Sequence, residues 1–248
     1  MKQLIYKDWI LSRKTTIITM IYCSLIALTF LLIRISANCG NLSHDPMFYL
    51  SLKRNMYIMR YMPCAVFFLV LVDNGSIVKD YNCGWMRLCR TTGIKTEAIV
   101  ASKLVYSLIS ISAAIVPVMI YTVSLCIADG SGITFGQLKN LCTIYFITLT
   151  AAFLDTFLSF LLKKAYLVQL VMLPAVGTAA GLMMMHLFNR INKLSAEPVA
   201  DFDLLDLIRM EYAEPLSRML PVIFIITAAV FAICFFASVK ILKRREMP

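Results

Sequence analysis

Two histidines, eight cysteines and fourteen carboxylates make up the reactive inventory of this 248-residue chain. Their spacing suits neither a metal site nor acid–base catalysis. His44 lies in a polar connection and His186 near the end of an apolar run, with no HExxH and no carboxylate pair opposite either ring. Cys83 and Cys89 have no nearby histidine to complete a zinc site, so they are expected to pack as small apolar residues. The nine glycines include no Walker A phosphate cradle and no other glycine-rich nucleotide loop. The chain is therefore not expected to be an enzyme or to bind a cofactor directly, and ATP hydrolysis would need another polypeptide. Asp155 is the exception among the carboxylates. It sits inside an apolar run, too short to reach water, so it must be paired, protonated or facing a wet cavity. Lys103, Lys163 and Lys164 are its candidate partners, and gating or substrate passage is the alternative use.

The elements that would carry these residues follow from composition. Hydrophobic residues make up 60% of the chain, charged residues 15%, and the mean hydropathy is +0.79. That balance excludes an ordinary soluble domain, which is about 25% charged. Crossing a bilayer takes about 20 apolar residues, and six runs qualify: 15–33, 56–72, 98–127, 141–162, 166–187 and 221–239. A lipid-embedded backbone must satisfy its own hydrogen bonds, and no ten-residue alternation announces a barrel. The expected fold is thus an all-α integral membrane protein of one domain, 1–248. Pro63, Pro117 and Pro174 interrupt three of the runs and permit kinks. Gly177 and Gly181 form a small-xxx-small surface for close helix packing. Met183, Met184 and Met185 offer a soft apolar surface, suited to ordinary packing or to lining a pathway.

Charge sets the expected orientation. With the N-terminus inside, fourteen Lys and Arg fall on inner segments and eight on outer ones; Arg60 and Lys103, within runs, complete the 24 and are expected to snorkel. Both termini are therefore placed in the cytoplasm. The formal net charge of +10 points to anionic lipid rather than nucleic acid. Only Cys39 falls outside, so no disulfide framework is expected. No small-residue cleavage site follows the first run, and the opening is expected to persist in the mature protein.

Three connecting stretches carry amphipathic patterns. In residues 1–14, MKQLIYKDWILSRK, Ile5, Tyr6, Trp9 and Ile10 share an arc suited to the membrane interface. In residues 80–92 of the segment 80–97, Tyr81, Trp85, Leu88 and Cys89 fall together, opposite Asp80, Arg87, Arg90 and Thr91, and Gly93 supplies a stop. Such a helix suits lipid or a groove on a soluble partner. In the outer loop 189–220, Phe202, Leu205, Ile208 and Tyr212 oppose Asp203, Asp206 and Met210 between Pro198 and Pro215.

Six spans with an interfacial start, an inner amphipathic segment and an outer helix before the last span resemble the type-2 ABC transporter permeases. Lys7-Asp8 ahead of an aromatic, and IVASK at residues 99–103, look like a branch of small bacterial exporters that includes the permeases of the phenol-soluble modulin exporter. That branch often carries Leu-Pro ahead of its third span, where this chain has Thr91-Thr92-Gly93. The resemblance implies a permease subunit of the bacterial cell membrane that exports amphipathic or antimicrobial-type peptides. It implies a second permease chain, as homo- or heterodimer, and a separate ABC ATPase subunit that holds ATP and Mg. Residues 80–97 would be the coupling helix, with Tyr81, Trp85, Arg87, Leu88 and Arg90 meeting the ATPase. A membrane sensor or scaffold that binds a cytoplasmic signalling protein without transport fits the same sequence features.

Overall fold

The computed structural model describes residues 2–10, 75–128, 135–164, 167–172 and 218–244, with single helical positions at 17, 21, 24, 25, 28, 32, 174, 178, 185 and 215. Among the described residues the chain is helical apart from short turns, and there is no strand. The labelled elements are α1 (2–10), α2 (Gly75–Asn82), α3 (Trp85–Thr91), α4 (Thr96–Ala128), α5 (Phe135–Leu162) and α6 (Leu220–Arg244). The last three are long and apolar enough to cross a membrane, through Thr96–Ala113, Leu141–Leu162 and Leu220–Arg244. They correspond to the expected runs 98–127, 141–162 and 221–239. The run 56–72 and most of 15–33 and 166–187 lie outside the described residues, as do Met183, Met184, Gly177, Gly181 and the loop helix around Phe202. Met185 is described, and it is exposed.

Side-chain contacts fix the directions of α4, α5 and α6. Phe146 meets Phe224 edge-on at 5.2 Å between ring centroids, and Phe153 meets Phe231 at 5.1 Å. Both partners advance by one heptad, so α5 and α6 run parallel and in register. Between the two ring pairs, Thr150 and Thr227 share a hydroxyl hydrogen bond of 2.9 Å, and Thr227 also reaches the carbonyl oxygens of Phe146 and Ile223. Against α4 the order reverses. Ser107 bonds Thr156 at 3.0 Å and Ser112 bonds Tyr145 at 2.8 Å, so α4 and α5 are antiparallel. Hydroxyl pairs of this kind suit helices in lipid, where interhelical hydrogen bonds and close packing replace hydrophobic drive. The outward faces carry exposed apolar side chains such as Ile120, Leu154, Ile225, Ile233 and Phe236, the surface a bilayer would solvate. Helix α4 also continues unbroken through Pro117.

One end of this bundle collects everything else. It holds the start of α4 and the ends of α5 and α6, joined across the surface by an exposed Lys243–Glu97 ion pair. Helices α1, α2 and α3 pack on that same end, and Leu4, Ile77, Met86 and Cys89 enter the common core with Ile99, Val100, Leu104, Phe160 and Leu242. Both the first and the last described helices therefore finish on one face of the bundle.

The segment expected as a single helix over 80–92 is two helices. The backbone turns at Gly84, whose φ of +72° is a conformation that a side chain would strain. The Gly84 carbonyl then accepts the first bond of α3, from the Leu88 N–H at 3.0 Å. Gly93, at φ +74°, is the stop the sequence predicts. The Ile94 N–H reaches back to the Cys89 carbonyl at 3.0 Å, and both residues pack into the core, the pattern of a Schellman cap. Helix α5 ends differently, on Lys163 at φ 59°, a left-handed position that is uncommon outside glycine.

Candidate functional site

The densest chemistry among the described residues lies where α1, α2 and α4 meet. Helix α1 buries Leu4 and Asp8, four residues apart on one side, and exposes Tyr6, Trp9 and Ile10 on the other. Helix α2 buries Ile77 and Asp80. Helix α4 contributes Lys103, two turns from its start, among Val100, Leu104 and Ser107.

These placements bring four charges together. Lys7 Nζ donates to Asp80 Oδ1 at 2.6 Å, and Lys103 Nζ donates to Asp8 Oδ1 at 2.6 Å. Lys103 also lies 2.6 Å from Asp80 Oδ2, as an ion contact without hydrogen-bond alignment, and Lys7 lies 3.5 Å from Asp8. Each carboxylate thus touches both ammoniums, and each ammonium both carboxylates, in a closed ring of zero net charge. Asp8 and Asp80 are 1% exposed, Lys103 4% and Lys7 21%. Unpaired charges so deeply buried would cost far more than their neighbours return, whereas alternating signs at contact distance offset the loss of water. Lys7 is the wettest member, and the Trp85 ring covers it at 4.5 Å from its centroid. Lys163 stands over Tyr81 at 5.6 Å, which ties the end of α5 to α2.

This geometry corrects three expectations. Asp80 was expected on the wet face of an amphipathic helix, but the break at Gly84 rotates α2 relative to α3 and turns Asp80 inward. Leu88 was expected on the shared apolar arc with Tyr81, Trp85 and Cys89. It is 50% exposed, and Met86, which lies off that arc, is buried beside Cys89. Lys103 was expected to snorkel to headgroups and stood as a candidate partner for Asp155; it is engaged by Asp8 and Asp80. Asp155 itself is buried on α5 beside the Ser107–Thr156 contact in sequence.

Of the residues expected to meet a partner, Leu88 is open, and Tyr81 and Trp85 are partly buried under Lys163 and Lys7. Arg87 and Arg90 lie in α3, with side chains outside the described set. Tyr6, Trp9 and Ile10 form the exposed apolar face that the sequence predicts for α1. Among the described residues no group of three His, Cys, Asp or Glu gathers as metal ligands. The arrangement ties two peripheral helices, α1 and α2, to the start of α4.

Two thiols report on this end of the molecule. Cys83, in the turn between α2 and α3, is exposed, whereas Cys89 is buried on α3. Burial pushes the Cys89 thiol up, against the Lys7 charge that pulls it down. In single-cysteine variants in inverted vesicles, Cys83 is expected to react with a maleimide roughly tenfold faster than Cys89 or more. The Cys89 rate should keep rising with pH after an ordinary thiol has levelled off. If the Lys and Arg balance sets the orientation, an impermeant maleimide should reach Cys39 but not Cys83 from outside intact cells. Equal rates for the two thiols in the vesicles contradict the packing of α3, and outside labelling of Cys83 contradicts the orientation.

No family model, curated protein or solved structure matches the chain.

Proposed function

We propose that the chain is the transmembrane permease subunit of an ATP-driven exporter, and that the α2–α3 segment is its coupling element to a separate ATPase. The observation that carries this reading is the joint between α1, α2 and α4. An externally powered permease needs a stiff projection on its motor side, bonded to the spans that must move. Here the projection is seated by buried charges and a shared core, and Leu88, Thr91 and Thr92 stay open at its tip.

Helix directions fit the same reading. With α5 and α6 parallel across a bilayer, the chain between them must return, and the apolar run 166–187 supplies one crossing. Helices α1 and α2 share one end, so the chain between them crosses an even number of times; the runs 15–33 and 56–72 supply two. Six spans fit these directions, with both termini on the face that carries more Lys and Arg. That face is the cytoplasm by the positive-inside rule, and the membrane is the cell membrane of a bacterium. Tyr6, Trp9 and Ile10 then lie among anionic headgroups. A second permease chain completes the assembly, and ATP with Mg belongs to the ATPase. Amphipathic or antimicrobial-type peptides are the cargo, and Asp155 with Met183, Met184 and Met185 belongs to the pathway.

The test is co-purification. Tagged chain extracted in mild detergent from its native host should bring down an ATP-hydrolysing subunit, and Leu88→Glu combined with Arg87→Glu should lose it without loss of membrane insertion. Recovery of the wild-type chain with no ATP-hydrolysing subunit, or retention of that subunit by the variant, contradicts the reading.

A further inference from the structure

The two stretches that carry the family resemblance, Lys7-Asp8 and residues 99–103, lie about ninety positions apart, and they meet in one charge ring with Asp80. An interfacial helix that merely floats at headgroup level has no need of a buried carboxylate. Helix α1 has one, Asp8, directed at the ammonium of Lys103 on a long helix. A leucine there would hold α1 to the core by burial alone and allow it to slide. Opposed charges at 2.6 Å set direction and register as well.

The closed form of the ring adds a second property. Because Lys103 serves Asp8 and Asp80 together, α1 cannot leave α4 without also disturbing α2. Lys7 repeats the link from the other side, and its contact with the Trp85 ring extends it to α3. We infer that Lys7, Asp8, Asp80 and Lys103 form a single electrostatic lock that makes α1, α2, α3 and the first two turns of α4 one rigid lever. Helix α1 then moves with the coupling segment and does not stay behind with the bilayer. The purpose of the lever rests on the permease reading; the lock itself does not.

The experiment uses the full chain in lipid nanodiscs, without any ATPase, so its outcome is separate from that of the co-purification. Spin labels are placed at the exposed positions Tyr6 and Thr92 after replacement of the native cysteines, and the interspin distance is measured by pulsed electron resonance. The unaltered ring should give a single narrow distance distribution. Lys103→Met, which strands two carboxylates on one ammonium, should lose it to a second, broader population. Adding Asp8→Asn to Lys103→Met leaves Lys7 and Asp80 as a neutral pair, and it should restore most of the narrow population. Lys7→Met, at the wettest corner, provides a milder opening of the same kind that does not depend on Lys103 variants folding. A narrow distribution that survives Lys103→Met or Lys7→Met overturns the lock. So does a double variant at least as broad as Lys103→Met alone, because it makes the charges independent of one another.

Discussion

Lys103→Met is expected to destabilise the bundle by about 3–5 kcal/mol, the usual consequence of removing one partner from a buried ion set. The loss comes less from the missing attraction than from what stays behind: Asp8 and Asp80, both 1% exposed, with only half-wet Lys7 for neutralisation. Methionine fills much of the lysine stem volume, so a cavity contributes little. Detergent-titrated unfolding of the purified chain would measure the change. The combination Lys103→Met/Asp8→Asn should recover most of it, although it removes two charged groups instead of one. An exposed pair such as Lys243–Glu97 behaves differently, because solvent screens it and its loss should be close to neutral. If Lys103→Met matched the Lys243→Met variant in stability, the ring would be no more than surface decoration.

Phe160→Ala is the second large effect, expected near 3 kcal/mol, the low end for emptying a buried phenylalanine site. The low end applies because the side chain leaves one apolar medium for another when the helices part in lipid. Packing is lost, but little transfer energy. Phe160 is fully buried, one heptad beyond the Phe153–Phe231 contact and next to the charged end. Thr150→Val, which removes the Thr150–Thr227 hydrogen bond between α5 and α6, should cost only about 0.6 kcal/mol. The order of the two variants in the same unfolding assay decides whether core packing at the charged end or hydroxyl bonding between α5 and α6 contributes more. A larger loss from Thr150→Val would reverse that assignment.

The sequence makes the long helices readable because a bilayer demands only length and apolarity. The runs 98–127, 141–162 and 221–239 fall within helices Thr96–Ala128, Phe135–Leu162 and Leu220–Arg244. The exposed arc of Tyr6, Trp9 and Ile10 and the stop at Gly93 were readable for local reasons, three-to-four spacing and a left-handed glycine. The inner segment was half readable. A wheel drawn at 100° per residue assumes an unbroken helix, and Gly84 breaks this one, so the wheel misplaces Asp80, which is buried.

The charge ring was not readable from any window of sequence. Its bonds join residues 73 and 95 positions apart, and each ion taken alone has an ordinary explanation: a basic start, an amphipathic face, a snorkelling lysine. The available signal was the coincidence of two charges out of place in their own segments. Lys103 stood in an apolar run, and Asp8 was the sole acid in a basic opening. A buried cation without a neighbour needs an anion from elsewhere, and Asp8 and Asp80 supply it.

In the proposed coupling, force enters the spans through the tip of α3, and a photo-crosslinking residue installed at position 88 in cells of the native host tests that contact most directly. One dominant adduct is expected, with a soluble chain that carries a Walker A motif, and it should be lost when Arg87 is also changed to Glu. Crosslinking only to lipid, or to a protein without an ATP site, would contradict it.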